Sequence, residues 1–154
     1  MDKTQIIERY YNLSLRYLSY RPRSETEILD YLKKEKLSEE IISLIVTKLK
    51  EYKFINDREY AKFWIEQRVK SKRKPLRVIE FELKQKGINK EVIDEALSTF
   101  NEGKDLDLGS AKKLAEKKLD FYRNLSPQKR REKVMSYLLR KGFSYDVVKK
   151  VLKY

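Results

Sequence analysis

The chain has 154 residues, 40% apolar and 40% charged, with 4 Gly, 3 Pro, no Cys and no His, and a formal net charge of +13. That apolar share can form a core, and a charged share well above the roughly 25% usual in globular domains favours helices with long solvated faces. The missing Cys and His exclude disulfides, thiolate sites and imidazole catalysis. The positive surplus attracts polyanions, with nucleic acid and anionic membrane as the usual candidates. No apolar run approaches the roughly 20 residues that span a bilayer. The opening MDKTQIIERYY lacks a signal-peptide apolar region, so a soluble cytoplasmic protein is expected.

Thr4 to Tyr20 place Ile6, Ile7, Tyr10, Tyr11, Leu15 and Leu18 at near-helical spacing. Pro22 stops this pattern, because the residue before a proline is pushed out of the helical region. Ser24 and Glu27 form a capping box that opens a second helix through Ile28, Tyr31 and Leu32. Ser38 caps a third helix to about Tyr52, with Glu39 and Glu40 at the positive end of its dipole. Asn56 and Glu59 then open a fourth helix carrying Tyr60, Phe63, Trp64 and Val69. Pro75 suits the first position of a fifth helix, and Gly87 the left-handed residue after its end. Asn89 caps a sixth helix to about Phe100. NEGKDLDLG, residues 101–109, holds two of the four glycines and reads as a linker. Ala111 to Leu125 predicts a seventh helix. Ser126 and Pro127 open an eighth, Gly142 repeats the role of Gly87, and Ser144 opens a ninth.

These nine helices fall into three sets of three. LKKEKLSEEIISLIV (32–46), LKQKGINKEVIDEAL (83–97) and LLRKGFSYDVVKKVL (138–152) align without a gap. Each has a basic helix end, a short polar break and a following helix start that carries an acid. Ile28 and Leu32 correspond to Ile79 and Leu83, then to Val134 and Leu138. Ile41 and Ile42 correspond to Val92 and Ile93, then to Val147 and Val148. The first helix of the third set matches poorly. The expected fold is all-α: three tandem three-helix repeats, 1–53, 54–101 and 110–154, with 102–109 as linker, in an elongated, curved body.

The junctions between first and second helices are basic in all three repeats. They carry Arg16, Arg21 and Arg23; then Lys70, Lys72, Arg73, Lys74 and Arg77; then Lys129, Arg130, Arg131 and Lys133. Charge runs are often only solvated faces. Three clusters at equivalent places nevertheless predict a stripe that contacts phosphates or an acidic protein, with salt-sensitive affinity. Tyr17, Tyr20 and Tyr122 lie beside the clusters and are candidates for base stacking, although aromatics at helical spacing are more often core. LKQKGINKEVIDEAL has the spacing of a helix-turn-helix. Its second helix carries Glu91, Asp94 and Glu95, which would meet phosphates with carboxylates and disfavour sequence reading. No GxxxxGK[ST] loop is present, and capping accounts for Asp57 and Glu59, so neither an enzyme nor a metal or cofactor site is expected.

Three phrases resemble the signatures of the RecX regulatory proteins: LRYLSYRPRSETEILDYL (15–32), FINDREYAKFWIEQR (54–68) and IEFELKQKGINKEVIDEAL (79–97). The resemblance covers nearly the whole chain and is clearest over 15–97. It implies a modulator, usually negative, of the RecA recombinase. Such a protein lies along the groove of the RecA–DNA filament and reduces filament growth, ATP hydrolysis, strand exchange and LexA-type co-cleavage. It also implies direct binding to single- and double-stranded DNA without sequence preference. Arg21, Pro22, Arg23 and Ser24 match the family's basic turn and cap; Ile55, Asp57 and Ala61 match the second signature; Gly87 matches the Lys-Gly-Ile turn. Asn56 replaces one of two usual acids, Tyr60 replaces a common Phe, and the usual glycine is missing from Lys72 to Pro75. The expected partners are therefore the RecA filament and DNA, with no membrane and a monomeric chain. A DNA-binding protein without a filament partner and a helical adaptor for an acidic protein are the competing readings.

Overall fold

The computed structural model describes residues 1–103 and 105–153. Among these the chain forms nine helices and no strand. They are α1 (Lys3–Tyr20), α2 (Glu25–Lys34), α3 (Glu39–Glu51), α4 (Asp57–Lys72), α5 (Leu76–Gln85), α6 (Lys90–Phe100), α7 (Leu106–Phe121), α8 (Pro127–Lys141) and α9 (Tyr145–Leu152). The all-α class and the three sets of three helices follow the sequence expectation.

Side-chain caps set most of the boundaries. The Ser24 hydroxyl accepts from the Glu27 amide at 3.2 Å, and the Glu27 carboxylate accepts from the Ser24 amide at 3.4 Å, so the capping box is reciprocal. Ser38, Ser126 and Ser144 accept from the amides of Ile41, Lys129 and Val147. Asn56 accepts from Arg58 and Glu59. Asp2, which the sequence reading passed over, opens α1 through a capping box with Gln5. Pro75 stands one residue ahead of α5, where its carbonyl accepts from Val78 and Ile79.

The start of α7 corrects the expected boundary. The helix begins at Leu106, inside the segment read as linker, and Gly109 lies within it. Asp105 accepts from the Leu108 amide, and Asp107 places a carboxylate in the first turn. A glycine inside a helix costs about 1 kcal/mol relative to alanine, a penalty that a cap can offset. Lys104, also in that segment, lies outside the described residues.

The core register repeats as the three windows imply. Ile28, Leu32, Ile79, Leu83, Val134 and Leu138 are all fully buried. Ile42, Ile93 and Val148 are buried, while Ile41, Val92 and Val147 beside them are half-buried. In the first helices Ala61 and Ile65 correspond to Ala111 and Ala115, and all four are buried. In each set one contact at the same place joins first helix to second, and its chemistry differs. Tyr17 stacks on Tyr31 at 4.4 Å. Arg68 approaches Glu82 at 3.6 Å. The Lys118 ammonium lies 4.7 Å from the Tyr137 ring centre.

The chain divides into two compact units, residues 1–63 with 83–96 and residues 64–82 with 97–154, so the boundary passes through α4 and α5. Each unit contains the same docking device. In the first, the Asp57 carboxylate at the start of α4 accepts from the Glu25 amide of α2 at 3.0 Å. The Ser24 hydroxyl donates to the Lys86 carbonyl, and a Cβ at Gly87 would fall 2.0 Å from Thr26 Oγ1. In the second, Asp107 at the start of α7 accepts from the Leu76 amide of α5 at 2.9 Å. There a Cβ at Gly142 would fall 2.8 Å from Val78 Cγ2. Gly87 and Gly142 also have φ of 79° and 103°, so close approach and left-handed backbone both require glycine.

A helix N-terminus leaves amides without intrahelical partners, and here the following helix set satisfies one of them. Burial raises the pKa of both carboxyls; the accepted amide opposes this in each case, and the Glu25 charge adds to it at Asp57 as Asp105 does at Asp107. The fold thus favours the neutral acid. Its contribution is complete below the ordinary value of 3.8 and declines as pH rises through the raised folded value. Asp57→Ala, which orphans the Glu25 amide, is expected to lose about 1–2 kcal/mol in urea unfolding at neutral pH. Asp57→Asn keeps the acceptor without the buried charge and should lose less than about 0.5 kcal/mol, with its stability gaining on the wild type as pH rises from 4 to 6.

Candidate functional site

The three basic clusters lie where the sequence places them, at the α1–α2, α4–α5 and α7–α8 junctions, but their members divide by role. Arg21 holds Glu27 through both guanidinium nitrogens, at 2.6 and 3.5 Å. Burial works against the Glu27 charge; the Arg21 hydrogen bond and charge, with Lys86 and the Ser24 amide, outweigh it and lower the carboxyl pKa. Burial, then the charge and hydrogen bond of Glu27, raise the Tyr60 hydroxyl. The Arg23 guanidinium sits 3.9 Å from the Tyr17 ring centre and 3.9 Å from Glu27. Arg21 and Arg23 therefore hold the α1–α2 turn together, and of the first cluster Arg16 is the exposed member.

At the α4–α5 junction Lys70, Lys72 and Arg77 are exposed, with Lys70 paired to Glu66 along the helix at 2.7 Å. Lys74 turns inward to Glu82 at 2.9 Å, the same carboxylate that Arg68 approaches while lying over Trp64. Arg73 is half-buried and has φ of 52°, a left-handed conformation uncommon for a residue with a side chain.

At the α7–α8 junction Arg130 donates to the carbonyls of Arg123 and Leu125, and Arg131 donates to the carbonyl of Leu152. Both bind their own chain. Lys129 and Lys133 face outward and line an open cleft of about 630 Å³ with Tyr122, Leu125, Ser136 and Arg140. Glu132 is the one acid on its wall. Arg140 was missed in the sequence because it lies seven residues beyond Lys133, at the α8–α9 end and not at the first-to-second-helix junction. The signal was helical phase, since Lys129, Lys133, Ser136 and Arg140 recur at three- to four-residue steps and share a face of α8.

The three aromatic candidates divide similarly. Tyr17 is taken up by Tyr31 and Arg23. Tyr122 packs against the third core and lines the cleft, while Tyr20, at the end of α1, is 71% exposed. Among the described residues no group of three or more acidic, His or Cys side chains could hold a metal ion, and no helix is long and apolar enough to cross a membrane. The arrangement offers separated outward cations on a folded helical frame, suited to contact with a polyanion.

Comparison with known proteins gives this geometry a context. Models of the first, second and third three-helix domains of RecX match residues 11–49, 56–97 and 105–152. The regulatory protein RecX of Bacillus licheniformis is 38% identical over 160 residues, covering 99% of this chain and 60% of that protein. The regulatory protein RecX of Finegoldia magna is 35% identical over 142 residues, covering 92% of this chain and 69% of that protein. The crystal structure of RecX from Lactobacillus salivarius superimposes with a TM-score of 0.84 at 32% identity, covering 97% of this chain and 96% of that one. Against the Bacillus relatives the chain spans only about half to three-fifths of their length.

The division of roles is open to measurement. Arg130→Ala is expected to lower stability by about 1 kcal/mol, because two carbonyls lose a charged donor. Lys129→Ala and Lys133→Ala should stay within about 0.5 kcal/mol of the parent. Urea denaturation of the three variants checks both.

Proposed function

Because this chain belongs to the RecX family of regulatory proteins, we propose that it binds the RecA–DNA filament and restrains recombinase activity. The steps affected are filament growth, ATP hydrolysis and strand exchange. What carries the reading is the conjunction of three RecX domains in order with a basic first-to-second-helix junction in each. A filament of protein around DNA offers acidic protein surface and phosphate together. Each repeat contributes one weak contact, and the covalent chain makes the contacts multivalent. Lying along the groove and bridging successive protomers, the protein hinders the subunit rearrangements that growth and turnover need. It acts as a cytoplasmic monomer and not as an enzyme. Its functional modules are the three helix sets α1–α3, α4–α6 and α7–α9.

Direct binding to single- and double-stranded DNA, without sequence preference, belongs to the same reading, since outward lysines and arginines contact phosphate irrespective of base. Binding to DNA alone without any filament partner is the second reading, favoured by the same charges. Titration against DNA and against RecA filament at moderate salt separates them: equal affinity for both supports the second.

The decisive assay is single-stranded-DNA-dependent ATP hydrolysis by RecA with this protein added substoichiometrically, where a reduced rate is expected and an unchanged rate and filament length refute the regulatory reading. Lys70→Glu, Lys72→Glu and Arg77→Glu together should raise the concentration needed for inhibition about tenfold or more. Lys74 is left intact in that variant because a glutamate there would face Glu82.

A further inference from the structure

The α1–α2 turn, the α3–α4 loop and the first two turns of α4 border an open hollow of about 550 Å³ in the first compact unit. Its apolar lining is aromatic: Phe54, which is 49% exposed, with Tyr60 and Phe63. The Tyr60 and Phe63 rings form a tilted pair with centres 6.5 Å apart. Arg23 and Lys53 bring cations to the wall, and Glu59 brings an acid. Lys62 lies 3.6 Å from Glu59 along the helix and shares its charge, so the rim is net cationic. The volume falls in the range of pockets that hold a ligand group, about 300–1,000 Å³.

Repeat equivalence shows that the helical frame does not require these rings. Ala61 and Ile65 align with Ala111 and Ala115, which sets Tyr60 against Ser110 and Phe63 against Lys113. Ser110 is buried like Tyr60, while Lys113 is exposed. The α7 helix thus forms with a lysine where α4 has a half-buried phenylalanine. The Arg23 guanidinium is also placed for more than its own chain uses. It lies over the Tyr17 ring, 3.9 Å from the centre, which fixes its plane. Its terminal nitrogens make only long contacts, 3.9 Å to the Glu27 carboxylate and 3.5 Å to the Tyr17 carbonyl. Its Nε has no hydrogen-bond partner among the described residues. A guanidinium carries five N–H donors, so capacity for a further carboxylate remains.

We propose that this hollow docks a short acidic segment of a partner protein, with one large apolar side chain seated against Phe54 and Phe63 and a neighbouring carboxylate held by Arg23 and Lys53. The inference rests on the reading that the chain has a protein partner. It adds the kind of segment that the partner contributes and the place that receives it. The concave aromatic lining buries the apolar group, and the cations orient the segment around it. A nucleic-acid backbone fits less well, because two cations flank the hollow without forming a row and Glu59 would meet phosphate. A purely acidic peptide would leave the rings without a ligand, and a purely apolar one would leave the cations unmatched.

The test is fluorescence anisotropy of the full chain with labelled peptides Glu-Glu-Phe-Glu-Glu and Glu-Glu-Ala-Glu-Glu, and separately with labelled oligothymidylate. The net charge of +13 attracts both peptides, so the difference between them reads the hollow. The phenylalanine peptide should bind with a Kd of about 100 µM, and the alanine peptide about tenfold more weakly. Phe63→Lys installs the residue that the third repeat carries at this place. That variant and Phe54→Ala should each weaken the phenylalanine peptide about tenfold. Neither should weaken the alanine peptide or oligothymidylate, and urea unfolding of both variants checks that the frame is intact. The site is overturned if the two peptides bind alike, or if neither saturates below about 1 mM. It is also overturned if Phe63→Lys tightens the phenylalanine peptide, as added charge alone would. A tenfold loss of oligothymidylate binding in both variants would assign the hollow to nucleic acid instead. Those outcomes leave inhibition of RecA ATP hydrolysis by the unmutated chain standing. Absence of that inhibition, with the peptide difference intact, removes the regulatory reading and keeps the hollow.

Discussion

A carboxylate from one helix set accepting an amide from the set before it is the interaction on which the repeated architecture depends. Asp57 does this for α2 and Asp107 for α5. Packing alone gives a helix pair freedom to slide, because apolar contact is non-directional. A single hydrogen bond at a helix terminus removes that freedom, since the amide points along the axis and the acceptor must lie ahead of it. The glycine turn adds a steric limit, admitting Gly87 onto Thr26 and Gly142 onto Val78 at distances that no side chain would allow. Direction and distance of docking are thus set by separate groups, and the buried core supplies most of the driving force.

This division explains what could be read in advance. The second and third helices of each repeat were legible because large aliphatic residues at fixed spacing carry their cores, and Ile28, Ile79 and Val134 are buried as that spacing requires. The first helix of the third repeat was read as a helix but matched the other first helices poorly, because its buried positions include Ala111 and Ala115. Alanines add little to an apolar period, although they match Ala61 and Ile65 in place. Glycine at 109 and acids on either side of Leu106 likewise resemble a loop in composition. Asp105 and Asp107 make that segment a helix start by capping and docking, which composition does not display.

The candidate surface was legible in position but not in membership. Clusters of cations mark a junction, yet a cluster does not say which members face inward. Arg21, Arg23, Lys74, Arg130 and Arg131 all bind groups of their own chain. Most of these are arginines, whose planar fork suits carbonyls and carboxylates inside a turn, whereas most of the outward positions are lysines. Partner choice depends on residues distant in sequence, such as Leu152 for Arg131, and no local pattern encodes it.

The joint between first and second helices is built from a ring stack in the first repeat, an ion pair in the second and an ammonium over a ring in the third. Dissolved ions screen the half-buried pair of Arg68 and Glu82 but do not act on two stacked rings. Raising ionic strength should therefore weaken the Arg68–Glu82 contact while the Tyr17–Tyr31 stack keeps its strength. Three copies of one scaffold thereby acquire unequal responses to the same electrolyte.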